Sequence, residues 1–541
     1  MTRKKQRLYN KARKHRSTRC WDQFRSYRNT CTNALRKARE NYVVGIISEG
    51  LKNNDCRPFW RYTKSQKQEQ CSIASLKDKG HLYSDSVSKA EILNKKYTSV
   101  FTSDANDKHA DTVLQGPSIP PMPDIIFDVS GIAKLLGNIN PKKAHGLDAR
   151  LLKELAEELA PVFTDLFQRS YDSGILPSVW KMANVTPVYK KGPVYEASNY
   201  RPVSLTCIPC KLMEHVICSN MRAHFDRYGA LTPLNHGFRS KHSCETQLLL
   251  TTHDFSNNLS KSKSQTDVVV LDFSKAFDKV PHARLMSKLR LLGVQGRAGQ
   301  WIQQFLAGRS QKVIVDGRCS SSSSVLSGVP QGTVLGPLLF LCFINDIVSV
   351  VDPGTQIRLF ADDCLLYRVI SSVHDQILLQ RDLHALSEWS HLWGMHFNPS
   401  KCNVLTIANM NEPLIKFYEL EGRVLMHVEA AKYLGVLIEM TLTFTGHIKA
   451  ITNKAKQKLG FLKRNLRGTP TEVRKMAYVS LVRSSLEYAS PIWDPQTAVL
   501  KKELESIQNR AIRWIFGKSP RERVSITGLR RDLSWHTLEQ R

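Results

Sequence analysis

Residues 357–370 read IRLFADDCLLYRVI. Two adjacent aspartates, Asp362 and Asp363, interrupt a run of apolar, β-branched and aromatic side chains whose length suits two short strands. A hairpin with the pair at its tip would place both carboxylates at a sheet end, in reach of solvent and ligand. Burying even one unpaired carboxylate is costly, and two side by side raise each other's pKa. A hard divalent cation such as Mg²⁺ relieves both penalties. Neighbours in a strand point to opposite faces, so a third carboxylate from elsewhere in the chain is expected. Asp272, which closes the β-branched run TDVVVLD (266–272), is the best candidate. On these residues alone, an exposed acidic turn remains the competing reading.

The chain has 541 residues and a formal net charge of +30, unevenly spread. Residues 1–70 carry a net +14 and residues 449–541 a net +12, whereas 71–448 carry only +4. Two basic ends flanking a nearly neutral middle point to a polyanion, nucleic acid before an acidic membrane surface or protein. The twelve cysteines are scattered, and CIPC (207–210) is the only CxxC. It has no second pair or finger-spaced histidines, so reduced thiols in an intracellular protein are expected rather than zinc. The start, MTRKKQRLYN, lacks a signal peptide's apolar stretch, and VLGPLLFLCFI (334–344) is too short to span a bilayer. The expectation is a soluble protein with no membrane partner.

Along the chain, 1–102 reads as a basic helical segment with Trp21, Phe24, Tyr27, Trp60 and Tyr62 interleaved. Such a pattern suits either a strand-binding arm or a helical hairpin using the aromatics as its own small core. Residues 103–125 form a Pro-rich linker (GPSIPPMPD). In 126–440, helical spacing over 150–177 stops at Gly174 and Pro177. A strand ends at Asp272, and 309–332 reads as two strands about a turn at Asp316–Gly317. Residues 441–541 turn helical and basic again. The pattern predicts an α/β or α+β core with a basic helical appendage.

Three motifs in order, LDFSKAFD (271–278), GVPQGTVLGPLLFLCFINDI (328–347) and FADD (360–363), resemble the palm of reverse transcriptases. The likeness is to the LINE-type, jockey-like non-LTR retrotransposons. KKAHGLDARLLKELA (142–156) resembles that family's N-terminal extension motif. VYKKGPVYEASNYRPVSL (188–205) and HGFRSKHSCETQLL (236–249) resemble its finger motifs. WGMHFNPSKCNVL (393–405) and KYLGVLI (432–438) resemble the last palm motifs, and LVRSSLEYASPIWDP (481–495) resembles its thumb and the segment after the thumb. The similarity runs over about 126–541.

The resemblance implies an α+β right-hand polymerase fold, with fingers and palm at 126–440 and thumb at 441–541. It implies RNA-directed DNA synthesis at two Mg²⁺ ions, with Mn²⁺ a possible substitute, bound by Asp272, Asp362, Asp363 and the carbonyl of Phe273. Phe277 would lie under the sugar and exclude a 2′-hydroxyl. Gln331 and Gly332 would meet the nucleotide or template. Lys190, Lys191 and Arg201 would clamp the triphosphate, Lys401 would donate a proton to pyrophosphate, and Arg239 would touch the template. Partners implied are an RNA template, a DNA primer and deoxynucleoside triphosphates, with nuclear access. The family's endonuclease finds no room ahead of the polymerase, so an endonuclease or an element-encoded RNA-binding protein in trans is expected. An RNA-dependent RNA polymerase, a truncated element copy, and a silent element-derived nucleic-acid-binding protein are the rival readings.

Overall fold

The structure is a computed structural model describing residues 2–541 except 53–56, 59, 62–72, 103–118, 142–148, 262–263, 411, 468 and 520. The chain divides into two compact units, Ser72–Leu442 and a second made of Met1–Cys71 with Thr443–Arg541. The extension motif's loop at 142–148, Tyr62, and most of the expected linker lie outside the described residues.

The first unit mixes helix with sheet. It opens with a hairpin of β1 (Leu76–Asp78) and β2 (His81–Tyr83). Then come β3 (Met182–Tyr189), β4 (Tyr200–Leu205), β5 (Gln265–Asp272), β6 (Arg309–Val315), β7 (Arg318–Cys319) and β8 (Ser323–Val325). After these lie β9 (Thr355–Phe360), β10 (Asp363–Val369), β11 (Asn403–Ala408), β12 (Glu419–Leu420), β13 (Arg423–Val424) and β14 (Met426–His427). One five-stranded sheet has the order β4-β3-β6-β7, with β8 also on β6. The other has the order β14-β11-β5-β10-β9. Its centre is antiparallel, with β5 between β10 and β11.

The VVVL run of β5 is buried because helices cover the sheet. Val268, Val269 and Leu271 are at most 2% exposed. A continuous apolar core joins Val269 and Leu271 to the fully buried Leu339, Phe340 and Phe343 of the helix Gly336–Ile344 and to Leu379, Leu383 and Leu386 of the helix Val373–Trp393. One polar group is built into this core. Asp267 is fully buried on β5, where Tyr418 Oη (2.6 Å), Thr406 Oγ1 (3.0 Å) and Gln265 Nε2 (2.9 Å) donate to it. These donors supply what water would otherwise provide.

Two boundaries differ from the sequence reading. Residues 73–102 join the first unit: Leu76, Leu93 and Tyr97 bury against Val185, Tyr200, Val313 and Val315 of the β3/β4/β6 sheet. The end of the proline-rich stretch also packs down, since Ile119 N and Met122 N bond the carbonyls of Leu291 and Gly293 and Ile125 is 2% exposed. Composition marks proline as loop, but the apolar residues between the prolines find a core.

In the second unit, helices Thr2–His15 and Thr18–Lys52 pair. Tyr9, Trp21 and Phe24 pack ring to ring at 5.4–6.1 Å, with Phe24 buried and Tyr9 exposed. Tyr27 lies beneath Lys4, whose Nζ is 5.1 Å from the ring centroid. The helices Thr445–Asn465 and Ala498–Ile515 pack through buried Leu459, Leu462, Ile507 and Ile512. No helix among the described residues is long and apolar enough to cross a membrane.

Candidate active site

The stretch 357–370 forms the β9–β10 hairpin, turning at Ala361 and Asp362. Ala361 adopts φ +57°, unusual for a residue with a Cβ, and its surroundings explain why it holds. Buried Asn235 accepts from Ala361 N (3.1 Å) and Gly237 N (3.0 Å) through the same Oδ1. Gly237 lies so close that a Cβ there would sit 2.4 Å from Ala361 N.

β10 pairs antiparallel with β5, and the register sets Asp363 directly opposite Asp272. Asp362 and Asp363 reach solvent at this sheet end, while everything after Asp363 in β10 up to Arg368 is buried. The Asp363 carboxyl is pushed up to about 6, first by loss of hydration and then by the charges of Asp362 and Asp272. Asp362 is also raised, chiefly because the surrounding protein strips part of its hydration although the side chain reaches solvent, with Asp272 adding to it. Arg201 and Lys190 pull both back down. The segment after β5 is held by Asn398 N donating to Asp272 O (2.7 Å) and Ser274 N to His396 O (2.9 Å). Phe273 stacks on Phe397 at 4.3 Å beneath it.

Three cations from distant parts of the chain meet these carboxylates. Lys401 Nζ lies 3.1 Å from Asp272 Oδ2. Lys190, at the end of β3, is lowered by burial and then by the charges of Arg201 and Lys401. Arg201 is carried by β4, paired opposite Val188. Lys191 is exposed and adds to the positive field on Lys190.

A second cluster adjoins through β4. Ser204 N donates to Gln331 O (2.7 Å), and Gly332 at φ +103° sits where a Cβ would be 2.7 Å from Ser204 O. Gln331 Nε2 donates to Asp278 Oδ1 (2.9 Å). Phe277 stacks on Phe340 at 4.2 Å and meets Phe238 edge-on. Arg239 donates from Nη1 to the carbonyls of Thr232 and Leu231, which fastens its own loop.

The sequence reading gave no role to four residues that hold this arrangement. Asn235 steadies the carboxylate turn and Asp278 fixes Gln331. Lys275, at φ +57°, lies near Asp278. Glu214, fully buried, accepts from Val334 N (2.7 Å) and Leu335 N (3.0 Å) and so fixes the segment between Gln331 and the helix Gly336–Ile344. A signal for Glu214 existed: it falls on the apolar stripe of Ile208–Tyr228 with Cys210, Ile217 and Met221. Asn235 gave none, because its partner lies 126 residues away.

A hard-oxygen donor set from two adjacent strands, with carboxyls raised by crowding and cations around it, fits a divalent metal ion. Residues 188–438 match the family model described as "Reverse transcriptase (RNA-dependent DNA polymerase)". That family generally uses divalent metal ions. The chain is similar to polymerases of LINE-type mobile elements. It is 28% identical to the "RNA-directed DNA polymerase from mobile element jockey" of Drosophila melanogaster, over 74% of this chain and 45% of the relative. It is also 28% identical to the "Probable RNA-directed DNA polymerase from transposon BS" of the same fly, over 94% of this chain and 58% of the relative. The chain thus spans about half the length of these curated relatives. Residues 1–46 match a model described as "Female sterile protein K10 C-terminal domain".

Proposed function

We propose that this chain is an RNA-directed DNA polymerase of a non-LTR retrotransposon, adding deoxynucleotides to a DNA 3′ end on an RNA template. The observation that carries the reading is the cross-strand placement of Asp272 against Asp363 beside Asp362. The β5-centred sheet serves as palm, the β3/β4/β6 sheet and its helices as fingers, and the helices after 443 as thumb. Asp272, Asp362, Asp363 and the Phe273 carbonyl would hold two Mg²⁺ ions, for which Mn²⁺ can substitute. Such ions acidify the primer hydroxyl and neutralise charge on the leaving phosphates.

The chain's own groups do the rest. Arg201 and Lys190, beside the carboxylates, bind the triphosphate oxygens, with Lys191 adding to the field. Lys401, ion-paired to Asp272 in the free protein, turns to the departing pyrophosphate and donates its proton. Phe277, fixed by Phe340 and Phe238, presents its edge to the sugar and leaves no room for a 2′-hydroxyl. Gln331, held by Asp278, meets the nucleotide or template across the closely approached backbone at Gly332. Arg239 contacts the template strand, and the basic helical unit binds duplex phosphates. Entry to the nucleus completes the retrotransposition reading.

The deciding experiment extends a DNA primer on an RNA template with Mg²⁺, comparing the wild-type chain with Asp362→Ala. Extension that the substitution abolishes supports the proposal. No extension by the wild-type protein, with template binding intact, would establish the silent nucleic-acid-binding reading instead.

A further inference from the structure

On the side of the β5 sheet where the helix Val373–Trp393 ends, three metal-binding side chains converge without serving the polymerase reading. His391 stands in that helix's last turn, and Gly394 at φ +68° reverses the chain. His396 then leads into the Phe397–Phe273 bridge. Glu421 comes from the β12–β13 turn at φ +50°. The ligating atoms of His391, His396 and Glu421 all lie within 4.8 Å of one another. The two imidazole centroids are 4.9 Å apart, and His396 Nδ1 is 4.0 Å from Glu421 Oε1.

The carboxylate is held in place. Ser390 Oγ and Phe397 N both donate to Glu421 Oε1 at 3.1 Å. The β12–β13 turn is fastened to the same helix, because Gln380 and Glu419 exchange two bonds of 2.9 Å. Ligands fixed by such outer bonds need little reorganisation to receive an ion. Partial loss of hydration lowers the His396 pKa, with Glu421 opposing the shift and His391, Lys279 and Arg284 adding to it. The same two cations oppose a dication and moderate its affinity.

We propose that His391, His396 and Glu421 form a second divalent-cation site, distinct from the aspartate set and selective for a borderline ion of the Zn²⁺ class. Two imidazoles and one carboxylate suit such an ion, whereas Mg²⁺ prefers oxygen throughout. Three protein ligands leave a fourth position for water. An ion here fixes residues 391–397. The segment beyond is bound through Ser274 N–His396 O and Asn398 N–Asp272 O to the strand that carries Asp272.

The test titrates the full, chelator-treated chain with Zn²⁺ in excess Mg²⁺ by calorimetry, and records the spectrum after Co²⁺ replacement. One site should bind, and His391→Ala or Glu421→Gln should each weaken it about tenfold or more. Gln at 421 keeps the acceptor for Ser390 and Phe397, and position 391 is exposed, so both variants should stay folded. The Co²⁺ spectrum should lack a thiolate charge-transfer band, and Cys207→Ser should leave binding unchanged. Absence of Zn²⁺ binding, binding unaltered in both site variants, or a thiolate band lost with Cys207→Ser would each overturn the proposal.

Discussion

Asp363 sits opposite one like charge across the strand pair and next to another along the chain. Its carboxyl is pushed up to about 6, so the folded chain favours the protonated form. The stability tied to this group is therefore greatest below an ordinary aspartate's value and is lost as pH rises through about 6. Metal binding has the opposite slope, because the ion takes the ionised form. The rise in melting temperature on adding Mg²⁺ should therefore grow from about pH 5 to about pH 7.5, and Asp363→Asn should raise the melting temperature of the metal-free protein at neutral pH. A Mg²⁺ shift independent of pH would count against this account. Phe277 is the other residue-scale case. Phe277→Val removes the ring stacked on Phe340, and discrimination against ribonucleotides in primer extension should fall about 10–200-fold. Unchanged sugar selectivity would show that the ring serves packing alone.

The β9–β10 hairpin depends on neighbours distant in sequence. Asn235→Ala leaves Ala361 N and Gly237 N short of an acceptor in a buried place, costing about 1–3 kcal/mol in denaturant unfolding. Extension should drop with it although every carboxylate is intact. Gly237→Ala is more severe, since its Cβ would meet backbone 2.4 Å away at the turn. If either variant kept full activity, the turn would not need its buttress. The hairpin itself was legible in the sequence, because strand length and apolar pattern are local properties. The buttress was not, because nothing in the run 235–237 states that it folds against 361.

For the whole molecule, charge segregation is the dominant physical fact. The net +12 of residues 449–541 includes exposed Lys454 and Arg464 on the helix Thr445–Asn465. Affinity for a primer–template duplex should fall linearly on a log–log salt plot, and Lys454→Gln with Arg464→Gln should flatten the slope by about two units. An unaltered slope, measured by fluorescence anisotropy, would place the duplex elsewhere. Packing draws the same division as charge: residues 73–102 fall with the nearly neutral middle because Leu76, Leu93 and Tyr97 have an apolar sheet face to cover.

The sequence by itself determined the strands, the turn, the pair of aspartates, the need for a third carboxylate and the two basic ends, because each is written in a local pattern or a composition. Tertiary structure alone decided which groups meet. Lys401 reaches Asp272 from 129 residues away, and Glu214 holds the backbone at Val334, 120 residues further on. His391 and His396 face Glu421 only because a short hairpin is bolted to the helix that carries His391. Such meetings arise from the packing of whole elements around one apolar core, and no window of the chain carries that information.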